Sequence, residues 1–506
     1  MIRFWLVLLA FTCPSLVASA QDDAEKPEEK KKSEEQNTAE DNVFVTQRSV
    51  TIGGETIEYT ATAGEWVMKN EKGEPQATVF FIAYTRDGVE DLAQRPLTFA
   101  FNGGPGSSSV WLHLGLLGPR RVKLDDADPP HPLPELVPNE FSILDRTDLV
   151  FIDPVSTGYS RPTKEENKKD FHGYDEDLKS VGEFIRLYVT RNGRWLSPKF
   201  LAGESYGTLR AAGLAGHLLD EHNMELEGIA LISSVLDFAT IDFEINNDLP
   251  YILFLPAYAA TAWYHGRLPS ELQDDLMETL AEVERFALGE YATALLRGAD
   301  LSDEERQDVA AKVARYTGLS PEFVLQSNLR VSMSRFGKEL LRDERRTVGR
   351  FDSRYVGIDR DAAGDSSEYD PSAAAIFGPY TATLNEYLRT ELGVEKDIKY
   401  EILTPRVRPW SYDRFENRYV NSIEPLREAM TKHPRLQVFV ASGYYDLATP
   451  YFASEYTFNH LGLDPSLRKN VSMSDYRGGH MMYVDRPSLA KLKEDLDRFY
   501  EHAVVN

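Results

Sequence analysis

The stretch PKFLAGESYGTLRAAGLAGHLLDEH, residues 198–222, sets a serine at the turn between a strand-like and a helix-like segment. Ser205 stands in the frame G-x-S-x-G, whose glycines, Gly203 and Gly207, let the backbone turn tightly. The pentapeptide alone often occurs by coincidence, but in a strand, turn, helix context it holds the serine hydroxyl above a sheet edge. The stretch therefore predicts that Ser205 is a nucleophile supported by a β-sheet with helices packed on it.

Several other apolar runs predict strands of the same sheet. The segments are LTFAF, DLVFID, KFLAG, GIALISSV and LQVFVAS; each is mostly apolar, and helical stretches separate several of them. Such runs are typical of a largely parallel sheet covered by helices. Before them, from about residue 42, the alternating segments NVFVTQRSVTIGG, ETIEYTATAG and QATVFFIAYTR predict strands joined by turns that contain glycine. The predicted fold class is α/β, with a mostly parallel central sheet.

The strand pattern fades between residues 241 and 380, where helical stretches dominate. We expect this region to be a helical cap inserted into a core formed by residues 42–240 and 381–506. Its most apolar part, YILFLPAYAATAWY, is short and interrupted by Pro256, which favours a buried cap helix over a membrane span. No membrane span is expected in the mature protein.

Residues 1–20 have the pattern of a secretory signal peptide. A basic residue, Arg3, precedes an apolar run that ends in Ala18, Ser19 and Ala20. Cleavage after this run would give an exported protein, periplasmic or secreted; an uncleaved anchor and a lipid-modified Cys13 are the alternatives. Residues 21–41 are densely charged and lack apolar periodicity, which favours a disordered linker over a docking segment.

The composition excludes several classes of function. The 506 residues include 56 Lys and Arg against 81 Asp and Glu, a net charge of −25. Such a surface repels phosphate backbones, so nucleic acid is not an expected partner. Cys13 is the only cysteine, and no H-E-x-x-H motif is present. We therefore expect no metal, no organic cofactor and no disulfide in the mature chain, as is typical of a bacterial envelope enzyme. The sequence leaves the oligomeric state open.

A serine hydroxyl needs a base to remove its proton, and the base needs an acid to orient it. His480, in the glycine-flanked loop RGGHMMYVDRP, is the candidate base. Sequences with a serine in this strand, turn, helix setting order their triad as serine, acid, histidine. Asp446 follows the strand of VFVASGYYDLATP and is the candidate acid, whereas Asp413 and Asp475 are less well placed.

Acyl transfer also needs N–H donors aimed at the carbonyl oxygen on which negative charge develops. The loop NGGPGSSS, residues 102–109, follows the strand LTFAF and offers backbone amides with little side-chain obstruction. The amide of Tyr206, directly after the nucleophile, would be the second donor. A phosphate-binding loop is the rival interpretation, but neither G-K-[ST] nor G-x-G-x-x-G occurs here.

Together these motifs resemble those of one family, the serine carboxypeptidases of the α/β-hydrolase fold. The similar segments are NGGPGSSS, DPVSTGYS (residues 153–160), GESYG (203–207), SGYYD (442–446) and GHMMYVDRP (479–487). Their order and approximate spacing agree with the family over most of the chain after about residue 43. The resemblance implies an α/β-hydrolase fold and, with the signal peptide, a bacterial-type exported enzyme that releases residues from the C-termini of peptides or proteins.

The resemblance also implies a role for each site residue. Ser205, Asp446 and His480 would form the catalytic triad, while Gly104 and Tyr206 would donate N–H groups to the oxyanion. Asn102, Gly103 and Glu204 would hold the substrate's terminal carboxylate. Two carboxylates cannot both stay charged in a shielded pocket, so Glu204 would bind substrate in its protonated form, and activity would favour acidic pH. The alternative is that Glu204 only satisfies backbone donors at the turn.

The chain also departs from the family pattern. Members usually carry a tryptophan two residues before the asparagine and a second glutamate before the LGP motif, where this chain has Ala100 and Leu116. Ser107 replaces a cysteine, and GHMVP has become GHMMY. These changes bear on recognition of the terminal carboxylate rather than on acyl transfer. Two alternative functions stay open: a serine esterase or acyltransferase of the same fold, and a catalytically silent binding protein.

Overall fold

The structure is a computed structural model that describes residues 40–124 and 134–505. The predicted signal peptide and all but the end of the predicted linker lie outside the described residues. The strands are β1 (Asn42–Ile52), β2 (Glu55–Lys69), β3 (Pro75–Arg86), β4 (Leu97–Phe101), β5 (Arg120–Val122), β6 (Leu136–Pro138), β7 (Asp148–Ile152), β8 (Arg161–Pro162), β9 (Lys199–Glu204), β10 (Gly228–Ile232), β11 (Thr347–Val348), β12 (Val356–Gly357), β13 (Gln437–Gly443) and β14 (Val471–Tyr476).

The helices are distributed between both faces of the sheet and the region after β10. They are α1 (Val110–Leu112), α2 (Tyr174–Arg191), α3 (Tyr206–His222), α4 (Leu249–Tyr264), α5 (Ser270–Gln273), α6 (Leu276–Phe286), α7 (Ala292–Arg297), α8 (Asp303–Thr317), α9 (Pro321–Gln326), α10 (Met333–Glu339), α11 (Pro371–Thr390), α12 (Ile423–Lys432), α13 (Tyr451–Asn459) and α14 (Arg486–Val505). Among the described helices, none combines the length and apolar character that crossing a bilayer requires.

One large sheet organises the chain, with strand order β1-β2-β3-β7-β4-β9-β10-β13-β14 and β8 paired to β3. From β7 to β14 the neighbouring strands are parallel, whereas β1, β2 and β3 form an antiparallel edge next to β7. This arrangement confirms the predicted mostly parallel sheet. All of these parallel strands except the edge strand β14 are buried on both faces, which explains why their sequences are mostly apolar runs.

Each face of the sheet has its own apolar core. On one face, Leu492 and Phe499 of α14 pack in the same cluster as Tyr387 of α11. On the other face, Phe184 of α2 packs in the same cluster as Leu209 of α3. Burying a side chain of this size contributes about 2 kcal/mol, so these helices are held to the sheet mainly by their apolar faces.

The helices α4 to α10 form a third apolar core above the sheet. The apolar α4, with Pro256 inside it, is buried in this core, and Tyr444 and Tyr451 join it from the segment that follows β13. The predicted boundary at residue 380 falls inside α11, whose Ile376 and Tyr380 belong to the core beside the sheet. Periodicity alone could not place this boundary, because an amphipathic helix looks the same whichever core it joins.

Candidate active site

The sequence motifs meet at one edge of the sheet because parallel strands end together. Phe101 at the end of β4 pairs with Gly203 of β9, and Glu204 at the end of β9 pairs with Ile232 of β10. In the same way Ile232 pairs with Ala441 of β13. The loops that follow these strands therefore emerge side by side, at the edge where ligands of parallel sheets bind.

Ser205 occupies a strained turn between β9 and α3. Its backbone has φ +60° and ψ −130°, a conformation that costs a non-glycine residue about 1–3 kcal/mol. The turn is held from both sides: the Ser205 N–H donates to the carbonyl of Ile232 at 3.0 Å, and the Thr208 N–H donates to the carbonyl of Ser205 at 2.8 Å. This geometry projects the Ser205 side chain from the sheet edge, and Ser205 lines the cavity there.

His480 and Asp446 form a buried hydrogen-bonded pair next to this turn. Nδ1 of His480 lies 2.7 Å from Oδ2 of Asp446. The other partners of Asp446 are the N–H groups of Ala448 and Thr449, at 2.7 and 3.0 Å, and the Thr449 hydroxyl at 2.8 Å. These donors hold the carboxylate in place, and the carboxylate in turn fixes the orientation of the imidazole ring. Nε2 is the ring nitrogen of His480 that Asp446 does not engage.

The environment of His480 keeps it basic. Burial by itself lowers the pKa of the imidazole, but attraction to Asp446 and the hydrogen bond between them outweigh it, and the net shift is upward. The ring of Phe351 stacks on the imidazole with centroids 5.0 Å apart, and the His480 N–H donates to the Phe351 carbonyl at 2.5 Å. Phe351 therefore positions both the ring and the backbone of the base.

The loop after β4 lies directly against the start of α3. A side chain at Gly103 would collide with the backbone nitrogen of Tyr206, so only glycine permits this close approach. As the first residue of α3, Tyr206 has an N–H that no intrahelical carbonyl accepts. Gly104 lines the same cavity as Ser205. This arrangement offers two candidate N–H donors to an oxyanion at the nucleophile.

The DPVSTGYS motif supports this loop. The carboxylate of Asp153 accepts hydrogen bonds from the N–H and the hydroxyl of Ser109, both at 2.9 Å, and from the Tyr400 hydroxyl at 2.7 Å. Asp153 is fully buried, so the bonds tie two distant segments to the end of the NGGPGSSS loop. Its role is to hold the loop rather than to touch a substrate.

Glu204 is a buried carboxyl beside the nucleophile. Burial raises its pKa to about 7, against the lowering effects of His480 and of hydrogen bonds from Tyr483 and Asn102. The Tyr483 hydroxyl donates to Oε2 at 2.5 Å. Asn102 is itself fixed, because its Oδ1 accepts the N–H of Leu112 at 3.1 Å and its carbonyl accepts from Arg210 at 2.5 Å. Glu204 is thus an acid that is neutral over the acidic pH range.

Tyr483 is the hydroxyl partner of Glu204, and its ring packs beside the two positions, Ala100 and Leu116, at which the sequence departs from the family pattern. Leu116 and Ala100 are buried in the apolar core that also contains the Tyr483 ring. A side chain at Gly115 would collide with this ring, so glycine next to Leu116 makes room for it. The sequence shows GHMMY in place of GHMVP, but it does not show that Tyr483, the last residue of this segment, donates a hydrogen bond to Glu204.

One cavity of about 500 Å³ joins these groups. Six of the eight site residues named from the sequence line it; Asp446 lies behind His480, and Tyr206 begins α3 beside Ser205. Its other walls include residues that were not identified from the sequence as lining a site: Trp111, Arg350, Phe351, Ile376, Phe377, Leu403, Thr404, Pro405, Arg408 and Met481, beside Pro105 and Ser107 of the NGGPGSSS loop. Within residues 40–124 and 134–505, no cluster of three or more His, Cys, Asp or Glu side chains has a geometry suited to a metal ion.

Two curated relatives show which proteins this chain is similar to in sequence. The chain is 35% identical over 155 residues to the pheromone-processing carboxypeptidase KEX1 of Saccharomyces cerevisiae, a match that covers 28% of this chain and 20% of that protein. Over 236 residues it is 25% identical to serine carboxypeptidase-like 45 of Arabidopsis thaliana, covering 42% of this chain and 48% of the relative. The matches thus span less than half the length of these curated relatives.

Structural similarity extends further than sequence similarity. The crystal structure of KEX1, a prohormone-processing carboxypeptidase from Saccharomyces cerevisiae, aligns with a TM-score of 0.55 at 18% identity. The alignment covers 88% of this chain and 91% of the KEX1 chain, which confirms the α/β-hydrolase fold. The profile of the serine carboxypeptidase family matches residues 64–491, a range that includes every candidate site residue. This chain therefore belongs to the serine carboxypeptidase family.

Proposed function

We propose that the protein is an exported serine carboxypeptidase that releases C-terminal residues from peptides through an acyl-enzyme. Ser205 Oγ attacks the last peptide carbonyl while Nε2 of His480 takes its proton, and the N–H groups of Gly104 and Tyr206 bind the oxyanion. His480 then gives the proton to the leaving amine, and water hydrolyses the ester by the reverse sequence. The 2.7 Å bond between His480 and Asp446 supports this assignment.

The observation that carries the exopeptidase assignment is the buried, protonatable Glu204 in the nucleophile's cavity. An anionic C-terminus entering this cavity would be repelled by an ionised carboxylate but can accept a hydrogen bond from a neutral acid. With a pKa of about 7, Glu204 is predominantly protonated at acidic pH. Asn102 and Gly103, which line the same cavity, would complete the carboxylate site. Substrate binding should then weaken as the pH rises through about 7.

The direct test compares free and blocked C-termini. N-blocked dipeptides and a longer peptide, each with a free carboxylate or a C-terminal amide, are incubated with the purified protein at several pH values between about 4 and 8. We expect release of the last residue from free peptides, faster at acidic pH, and little cleavage of the amides. Hydrolysis of esters without any release from free peptides would contradict the exopeptidase assignment.

A serine esterase or acyltransferase is the second candidate, and a specific observation favours it. Ala100 and Leu116 are both buried in the apolar core, so two side chains that usually help to recognise the terminal carboxylate are absent. A panel of amide, ester and acyl-acceptor substrates separates this candidate from the first. Transfer to an acceptor in preference to water would identify an acyltransferase.

Export is proposed from the N-terminal sequence. The apolar run that ends in Ala18, Ser19 and Ala20 supports cleavage before Gln21. N-terminal sequencing of protein recovered from the periplasm or medium of a producing bacterium tests this, with Gln21 as the expected first residue. A chain that keeps its first residues and sediments with the membranes would instead indicate an uncleaved anchor.

A further inference from the structure

The charges lining the active-site cavity are opposite in sign to those of the whole chain. The protein has a net charge of −25. The ionisable side chains lining the cavity are Glu204, Arg350, Arg408 and His480. With Glu204 protonated, the cavity carries two guanidinium groups and no carboxylate, so it is locally positive on a strongly negative protein.

Within the described residues, the side chains of Arg350 and Arg408 have no carboxylate partner. Nearby arginines of the same segments have carboxylate partners: Arg354 pairs with Asp352 at 2.7 Å, and Arg406 lies 3.3 Å from Glu401. In the part of the chain that the structure describes, neither Arg350 nor Arg408 forms an ion pair or a side-chain hydrogen bond. Both side chains are exposed at the cavity.

The backbone around Arg350 is fixed although its side chain is not paired. Its N–H donates to Asp370 at 3.1 Å, and its carbonyl accepts the Leu447 N–H at 3.0 Å. The guanidinium lies 5.5 Å from the centre of the Phe351 ring, which itself stacks on His480. Arg350 is therefore held at the lip of the cavity, close enough to lower the pKa of His480 in opposition to Asp446.

The remaining walls are suited to a short hydrocarbon stem. Trp111 and Phe377 contact each other with ring centroids 5.1 Å apart, and Ile376 and Phe351 line the cavity beside them. A side chain with one or two methylene groups and a terminal carboxylate would place the methylenes on these walls and the charge near an arginine. Aspartate and glutamate have this form.

We propose that the cavity selects peptides with an acidic side chain in one of the last two positions, with Arg350 and Arg408 as its counter-ions. The proposal rests on the proposed carboxypeptidase function and names the substrate class of that site. The overall negative field repels acidic peptides, so two unpaired arginines at the cavity give the local attraction that such substrates need. This attraction is partly exposed to solvent and should weaken with added salt.

The test uses matched peptides that differ by one charge. N-blocked dipeptides with glutamate or glutamine in the last position, and a second pair with the change in the penultimate position, are assayed at about pH 6, where the substrate glutamate is ionised and Glu204 is mostly protonated. For at least one pair we expect kcat/KM for glutamate to exceed that for glutamine by about five- to tenfold, as for a charge-assisted contact. The preference should fall as sodium chloride is added.

Variants then assign the preference to the arginines. Arg350→Gln and Arg408→Gln should each reduce the ratio of glutamate to glutamine, and together they should bring it to about one. Arg350→Lys should retain part of the preference, because it keeps the charge. Arg285→Gln removes an exposed charge of α6 outside the cavity and should leave the ratio unchanged. Replacing Arg350 also alters the pKa of His480, which Arg350 lowers. This change affects the glutamate and the glutamine peptide alike, so it cancels in the ratio of their kcat/KM values.

Two results would overturn the proposal, and they differ in whether the proposed carboxypeptidase function also fails. If the wild-type enzyme trims the glutamine peptides but shows no preference for glutamate, or if the double variant keeps the preference, the arginines do not select acidic residues, and the carboxypeptidase function stands. If no peptide is trimmed at any pH, the proposed function fails, and the inference about its substrates fails with it.

Discussion

The hydroxyl of Tyr483 lies 2.5 Å from Oε2 of Glu204, and both residues are buried, with Glu204 lining the cavity that also contains Ser205. This bond joins the residue before Ser205, the proposed nucleophile, to a residue three positions after His480, the proposed base. A donor in this place stabilises the ionised form of Glu204, while burial favours the neutral form more strongly, which leaves its pKa at about 7. Together with His480 and Asn102, Tyr483 thus lowers the pKa of Glu204 against the effect of burial.

Replacing Tyr483 with phenylalanine should move the pH dependence of substrate binding. Without the phenolic donor the ionised form of Glu204 loses a hydrogen bond, so its pKa should rise further above its ordinary value. The pH at which KM for a free-carboxyl peptide begins to increase should then move upward by about one unit. Steady-state kinetics on one N-blocked dipeptide between pH 5 and 9 measures this change.

The matched control for this variant is Tyr500→Phe. Tyr500 is also buried, and its hydroxyl contacts Thr98 at 2.8 Å, away from the cavity. We expect its KM profile to match that of the wild-type enzyme. If Tyr483→Phe also leaves the profile in place while thermal unfolding shows an intact fold, Tyr483 does not govern the charge of Glu204.

Replacing Glu204 with glutamine should remove the pH dependence rather than move it. The amide has nearly the same shape and donates a hydrogen bond at every pH, whereas the carboxyl donates only while it is protonated. KM for a free-carboxyl peptide should therefore vary little between pH 5 and 8, although it rises in the wild-type enzyme. A persistent rise of KM in Glu204→Gln would place the titrating group elsewhere.

The sequence predicts those site residues whose position follows from the strand order, but not those that depend on side-chain packing between distant segments. Ser205, Asp446 and His480 lie on loops that follow parallel strands, and such loops meet at the same sheet edge wherever they occur in the sequence. The bond between Tyr483 and Glu204 joins residues 279 positions apart and depends on how Gly115 and Leu116 pack. No local pattern encodes such a contact.

Arg350 and Phe351 line the cavity, but the sequence did not identify either of them as a site residue. They lie within the predicted helical cap, yet the cavity is built partly from them. The reason is tertiary: Asp370 at the start of α11 accepts the backbone N–H of both residues, at 3.1 and 3.3 Å, and holds this loop beside His480. The predicted cap region therefore contributes Phe351, which is in direct contact with His480.

Removing Ser205 or His480 should abolish turnover. We expect Ser205→Ala and His480→Ala each to lower kcat by about 10⁴-fold or more, and the double variant to be no slower than either alone, because triad members act as a unit. A fluorophosphonate should label the wild-type protein once per chain and label neither variant. Ser454→Ala, on α13 outside the cavity, serves as control. Labelling of Ser205→Ala at the wild-type level would identify a different nucleophile.

Two buried carboxyl groups where α13 and β14 meet the cap, Glu455 and Asp475, should contribute a loss of stability as the pH rises from acidic to neutral values. Burial raises the pKa of Glu455 to about 7 and that of Asp475 to about 6, and each is further raised by the negative charge of Glu284 on α6. Lys491 opposes the shift of Asp475, and Tyr451 donates to Glu284 at 2.7 Å. The folded state holds these protons more tightly than the unfolded chain.

The sign of the effect follows from the ordinary values of 4.5 for glutamate and 3.8 for aspartate. Below these values both states are protonated and the groups contribute nothing, whereas above about 7 the folded state bears the full cost of the buried charges. Glu455→Gln with Asp475→Asn should therefore raise Tm by a few degrees at pH 8 and change it little at pH 4. Glu416→Gln, an exposed site, should change Tm at neither pH. An equal rise at both pH values would attribute the gain to packing rather than to ionisation.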